Sequence, residues 1–106
     1  MGFLKFEVPN SLPLEEARKR VEALLAYWKR KYGVTSAWTG VSATMKGKAV
    51  GVTIDGKLEV EPKRIAGEAN DPGMLLRGQA KKYLERKFAE YLDPNRSLDQ
   101  LIKNED

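Results

Sequence analysis

The spacing of apolar residues changes several times along the chain, and each change marks an element. From Phe3 to Val8, Leu4, Phe6 and Val8 alternate with Lys5 and Glu7, the period of a half-buried strand, and Pro9-Asn10 ends it. From Pro13 to Tyr32 the spacing becomes three and four. Leu14, Ala17, Val21, Leu24, Leu25, Trp28 and Tyr32 then form one stripe of a helix, with Arg18, Lys19, Glu22, Lys29 and Arg30 largely off it. Ser11 is placed to cap this helix, and Pro13 suits its first turn, where a missing N–H costs nothing. Glu15 and Glu16 lie near the positive end of the helix dipole and Lys29, Arg30 and Lys31 near its negative end; Gly33 supplies a left-handed stop.

Beyond Gly33 the period falls to two. Val34, Ser36 and Trp38 share a face of one strand, closed by Gly40, and Val41, Ala43 and Met45 line the next, with Lys46-Gly47-Lys48 as a short turn. Val50, Val52 and Ile54 form the apolar face of a further strand. Asp55-Gly56 then reads as a two-residue hairpin turn, because both positions of such a turn need positive φ. Leu58 and Val60 point inward on the last strand, and Lys57, Glu59 and Glu61 outward. Pro62 to Asp71 reads as a connection in which Ile65 can extend that strand.

A second helix is predicted from Pro72 to Leu92, capped by Asp71, with a stripe of Leu76, Ala80, Tyr83, Leu84, Lys87, Phe88 and Tyr91. Gly78 interrupts it, either to admit close approach of the sheet or as a tolerated defect costing roughly 1 kcal/mol against alanine. Asp93-Pro94 stops the helix. Ser97 and Gln100 make a capping box for a last turn through Leu98, Leu101 and Ile102, after which Asn104 to Asp106 are expected to fray. The predicted fold class is α+β in the order β-α-β-β-β-β-α: an antiparallel sheet, two long helices packed on its one apolar face, and a short C-terminal helical turn. At 106 residues the expectation is a single domain over residues 1–103.

Composition narrows the chemistry. The chain has neither cysteine nor histidine, so disulfides, thiolate catalysis and zinc sites built on those residues are excluded. Catalysis would have to rest on Asp, Glu, Lys, Tyr or Ser, and no metal or cofactor is expected. No apolar run approaches the roughly 20 residues that span a bilayer, and the N-terminus lacks a signal-peptide pattern, so a cytoplasmic location is expected. The net charge of +4 suits an anionic partner such as nucleic acid. Lys46, Lys48, Arg77 and Lys81 are the candidate anion-binding residues, although Glu22, Glu85 and Glu90 interleave with the basic residues as on a solvated mixed-charge face. No strand, glycine-rich loop and helix follow one another as a nucleotide site requires. The aromatic residues can fill a core or line an apolar cavity. The candidate ligand-binding residues are Trp38, Met45 and Tyr83, facing a groove between the sheet and the second long helix.

Several stretches, in order, resemble the polyhydroxyalkanoic acid system proteins, a small bacterial family. They are Asn10-Ser11-Leu12 with Leu14-Glu15-Glu16-Ala17-Arg18, then Trp28 to Lys31-Tyr32-Gly33, Trp38-Thr39-Gly40, Met45 through Gly51, Gly56 through Val60, and the helix from Leu75-Leu76 to Leu92-Asp93. Asn10 departs from the pattern, where a histidine tends to precede the helix start. The resemblance implies a shortened helix-grip (START-like) fold, in which a curved sheet wraps the C-terminal helix. It also implies a cytoplasmic accessory protein linked to polyester storage granules, with no catalytic residues to carry over. The leading expectation is thus a non-enzymatic binding domain for a hydrophobic acyl ligand or a granule-associated protein, able to form a homodimer through a sheet edge. The alternative is a basic nucleic-acid- or anion-binding module. A small lyase or cyclase using Tyr83 and Glu85 comes third.

Overall fold

The computed structural model describes residues 3–49, 52–70 and 73–103. In chain order its elements are β1 (Phe3–Pro9), α1 (Leu14–Tyr32), β2 (Thr35–Thr39), β3 (Ser42–Ala49), β4 (Val52–Glu61), β5 (Arg64–Asn70), α2 (Met74–Tyr91) and α3 (Leu98–Lys103). The five strands form one sheet in the order β1-β5-β4-β3-β2, antiparallel throughout. β1 and β2 are its edges. α1 carries the chain across the sheet from one edge to the other, and the meander β2 to β5 then returns to pair with β1.

Register explains which face is apolar. Phe6 lies opposite Gly67, Val8 opposite Ile65, Leu58 opposite Gly67 and Ala43 opposite Leu58, so these side chains share one side of the pleat. Both long helices pack there. α1 buries Ala17, Val21, Leu24, Leu25, Tyr27 and Trp28, and α2 buries Phe88 and Tyr91. Phe88 stacks on Phe6 with ring centroids 5.3 Å apart and meets Trp28 edge-on at 5.8 Å. A fully buried ring of this kind contributes about 1.5–3 kcal/mol, so this three-ring contact is the main anchor of α2. Gly67 makes it possible. A Cβ there would stand 2.5 Å from Cζ of Phe6 and 2.8 Å from the Lys57 carbonyl oxygen.

The opposite face of the sheet is charged and solvated. Lys57 pairs with Glu68 at 3.3 Å, and Arg64 bridges Glu7 at 2.7 Å and Glu61 at 3.0 Å. Exposed pairs of this kind contribute about 0–1 kcal/mol each, so they keep the face wet rather than hold the fold.

Element order and class are as the sequence implies, but two turns move. Asp55-Gly56 is not a hairpin: both residues lie inside β4, with Asp55 opposite Lys46 and Gly56 opposite both Met45 and Ala69. The physical reason is parity. A two-residue turn would pair Ile54 with Lys57 and Thr53 with Leu58, throwing Ile54 and Leu58 to opposite faces. A continuous strand keeps Ile54, Leu58 and Val60 on one side. The β4–β5 turn falls instead at Pro62-Lys63, and most of the stretch read as a connection is β5. Lys46-Gly47-Lys48 is likewise strand interior; Gly47 admits the backbone of Val34, whose Cα would lie 2.9 Å from a Cβ at that position. Val50, Asp71 and Pro72, assigned above to a strand face, a helix cap and a helix start, lie outside the described residues, as do Gly51 and the end from Asn104.

Helix ends differ in one respect. Ser11 does not cap α1: Pro13 occupies the cap position without a side-chain bond. The chain is reversed instead by buried Asn10, whose Oδ1 accepts from the Leu12 N–H at 3.0 Å. Gly33 stops α1 as expected, at φ 73°, donating to the Lys29 carbonyl at 3.0 Å. Gly78 admits no close neighbour, with nothing within 4 Å of a Cβ there. The capping box of α3 forms, with Ser97 N–H on Gln100 Oε1 at 3.0 Å and Gln100 N–H on Ser97 Oγ at 3.2 Å.

Candidate functional site

The stripe of α2 is not buried evenly. Phe88 is wholly buried, Leu84, Tyr83 and Ala80 are half-buried, and Leu76 is 42% exposed. The helix is therefore packed tightly at its C-terminal end and open toward its start. Between that open half and the apolar face of the sheet lies a cleft of about 390 Å³, at the lower end of the roughly 300–1,000 Å³ usual for small-molecule sites.

Each wall of the cleft has a local cause. Leu76, Ala80, Tyr83 and Leu84 recur every three or four residues along α2 and so share one helical face. Met45, Ile54, Gly56 and Ala69 come from β3, β4 and β5, and the small residues Gly56 and Ala69, directly paired, leave the floor low. Trp28 and Tyr32 close one end from the last turns of α1, while Leu4, Phe6 and Phe88 form the back. Polar groups are few: Thr53, Asn70, Gln79 and the hydroxyls of Tyr32 and Tyr83. Asn70 is committed to the sheet. Its Oδ1 accepts from the Asp55 N–H at 2.8 Å and its Nδ2 donates to the Thr53 carbonyl at 2.6 Å, continuing the β4 ladder past the end of β5.

At the α1 end the polar atoms converge. Trp28 Nε1 donates to the Tyr83 hydroxyl at 3.0 Å, and Tyr32 lines the same cleft. Burial, with smaller contributions from Tyr32 and Tyr27, pushes Tyr83 above the ordinary phenol range against the opposing Trp28 bond. Cations surround these rings. The Lys31 ammonium lies 5.7 Å from the Tyr32 ring centre and bonds the Tyr27 hydroxyl at 3.0 Å; the Arg86 guanidinium lies 5.6 Å from the Tyr83 ring and the Lys87 ammonium 5.2 Å from the Tyr27 ring.

Of the residues singled out from sequence, Met45 and Tyr83 stand on facing walls of this cleft. Trp38 does not line it. It sits at the end of β2 beneath the first turns of α1, with the Arg18 guanidinium 4.4 Å from its ring centre and Arg18 Nε donating to the Gly40 carbonyl at 2.9 Å. Lys46 and Lys48 are exposed on the charged face of the sheet, whereas Arg77 and Lys81 are exposed on α2 in the helix layer. The fold does not gather these four into one patch. Glu85 is half-buried on α2 and does not line the cleft.

The sequence reading missed Arg20, which is 5% exposed. Its Nε donates to Glu16 at 2.9 Å, and its Nη1 donates to the carbonyls of Tyr91 at 3.2 Å and Asp93 at 2.8 Å. Arg20 is thus a cationic cap for the C-terminal end of α2, where orphan carbonyls and the helix dipole favour positive charge. The signal was present: Arg20 follows Ala17 by three and precedes Leu24 by four, on the buried stripe.

Fold and cleft together define a small α+β protein whose C-terminal long helix roofs an apolar groove on an antiparallel sheet. The chain belongs to the family described as "Putative polyhydroxyalkanoic acid system protein", which it matches over residues 4–95. Comparison with curated proteins and with solved structures returns no match. Among the described residues no helix is long and apolar enough to cross a membrane, and no group of three or more Asp or Glu is placed to hold a metal ion.

Proposed function

We propose that this chain is a cytoplasmic accessory protein of polyhydroxyalkanoate metabolism that binds the hydrocarbon part of an acyl ligand in the cleft beneath α2, and acts by binding rather than by catalysis. The observation that carries this reading is the burial gradient along α2. Leu76 and Ala80 continue the apolar stripe that Phe88 completes, yet they face an open groove instead of a packed sheet. Apolar side chains so arranged gain about 25 cal/mol for each Å² that an apolar guest removes from water. The family description supports the polyester context. The lining itself supports binding over catalysis, since none of the described lining residues is Asp, Glu, Lys or Arg. β2, an exposed edge strand without a charged residue, suits pairing with a second copy.

The test is a titration with methyl decanoate in a Trp38→Phe background, so that Trp28 alone reports. Saturable change in Trp28 fluorescence with a rise in melting temperature is expected, and Ala69→Leu, which raises the floor, should weaken binding by at least about tenfold. Absence of any saturable response, or equal binding by Ala69→Leu, would sink the cleft reading.

A further inference from the structure

The cleft lining holds two phenols with cations beside their rings, and that pairing selects a head group. Thr53, Asn70 and Gln79 of the lining are neutral, and the Asn70 amide is already engaged by β4. Tyr32 and Tyr83 are the two phenols of the lining. Their rings are flanked by cations, Lys31 at Tyr32 and Arg86 at Tyr83. A phenol hydroxyl can donate to an acceptor, and a nearby ammonium or guanidinium strengthens any interaction with an anion when water is partly excluded. A carboxylate at the Tyr32 and Tyr83 hydroxyls would therefore meet phenol donors with a cation beside each ring.

Building on the acyl-binding reading, we propose that the ligand carries an anionic head, a carboxylate, held at the Tyr32–Tyr83 end by the two hydroxyls and the field of Lys31 and Arg86. The cleft then discriminates a free acid from a neutral ester of the same chain. The cations are not part of the lining, so they act as a screened attraction near the rim rather than as a buried ion pair. Specificity on this account comes from the hydroxyls and affinity for charge from the rim.

Isothermal titration with decanoate, methyl decanoate and decanol, all below micelle-forming concentration, tests this on the whole chain. Decanoate is expected to bind about tenfold more tightly than the methyl ester, the scale of one charge-assisted hydrogen bond. Tyr32→Phe and the double variant Lys31→Gln/Arg86→Gln should each reduce that preference, read as the ratio of acid to ester affinity within the same variant, to about threefold or less. Equal binding of acid and ester by the wild type overturns the head-group proposal and leaves the cleft reading standing. An acid preference that survives both variants overturns the placement of the head. If none of the three ligands binds, the acyl-binding reading itself fails.

Discussion

Trp28 Nε1 donates to the Tyr83 hydroxyl across 3.0 Å, joining the last turns of α1 to the middle of α2 where the cleft ends. Trp28 is 5% exposed, so this bond satisfies a donor that has little access to water. It holds α2 at the point where its burial begins to fall. Tyr83→Phe keeps the ring and removes the partner; thermal or urea unfolding should show a loss of about 1 kcal/mol. An unchanged stability would mean that water replaces the hydroxyl without cost.

The same hydroxyl predicts an alkaline limb. Tyr83 titrates above an ordinary phenol, chiefly because it is partly buried. The folded state therefore holds this proton more tightly than the unfolded chain does. Its contribution to stability is complete below about pH 10, the ordinary tyrosine value, and is lost as pH rises through the higher folded value. Stability measured against pH should decline more steeply in that window for wild type than for Tyr83→Phe. Superimposable curves would contradict the assignment.

Arg20 should matter more than any charge on the open sheet face. Arg20→Leu removes the donors that satisfy the Tyr91 and Asp93 carbonyls. Leaving such acceptors unsatisfied costs about 1–3 kcal/mol, and amide exchange should show the last turn of α2 opening first. Lys57→Gln, which breaks only the exposed pair with Glu68, is expected to change stability by about 0.5 kcal/mol or less. Equal effects of the two substitutions would refute the capping role.

Continuity of β4 makes a further prediction. The Asp55 and Gly56 amides lie within the sheet, so they should exchange slowly, unlike those of a hairpin turn. Inserting one glycine between Asp55 and Gly56 shifts parity and turns either Ile54 or the Leu58–Val60 pair toward water. Each displaced side chain forfeits about 1.5–3 kcal/mol. The same insertion between Pro62 and Lys63, in an exposed turn, should be tolerated. Comparable unfolding midpoints for the two insertions would contradict the strand assignment.

These residues also show what a sequence reader can and cannot see. Alternation fixed the inward faces of β1 and β3, and the three-and-four spacing located α1 from Leu14 to Tyr32. Asp55-Gly56 has the local chemistry of a turn, but parity along the strand overrides it. The even-numbered Ile54, Leu58 and Val60 require one uninterrupted strand. Arg20 was legible as a charge on the apolar stripe, but its partners lie on α2 and no local pattern announces them. Met45 and Tyr83 could be placed on facing walls because each sits on the inward side of its element. Trp38 could not be excluded in that way. It has the correct parity but lies at the opposite end of α1, a distance along the sheet that periodicity does not encode. The openness of the cleft was equally hidden, since Leu76 and Phe88 belong to the same run of three-and-four spacings yet one is exposed and the other wholly buried.

The central claim is that an acyl chain occupies the space between the start of α2 and the floor formed by β3, β4 and β5. The most direct measurement is the set of intermolecular NOEs from a saturating alkyl ligand to the methyl groups of the folded chain. Contacts to Met45, Ile54, Ala69 and Leu76, and none to Ala37 on the edge strand β2, are the predicted result. Saturation without contacts to those four residues, or contacts confined to another surface, would contradict the account.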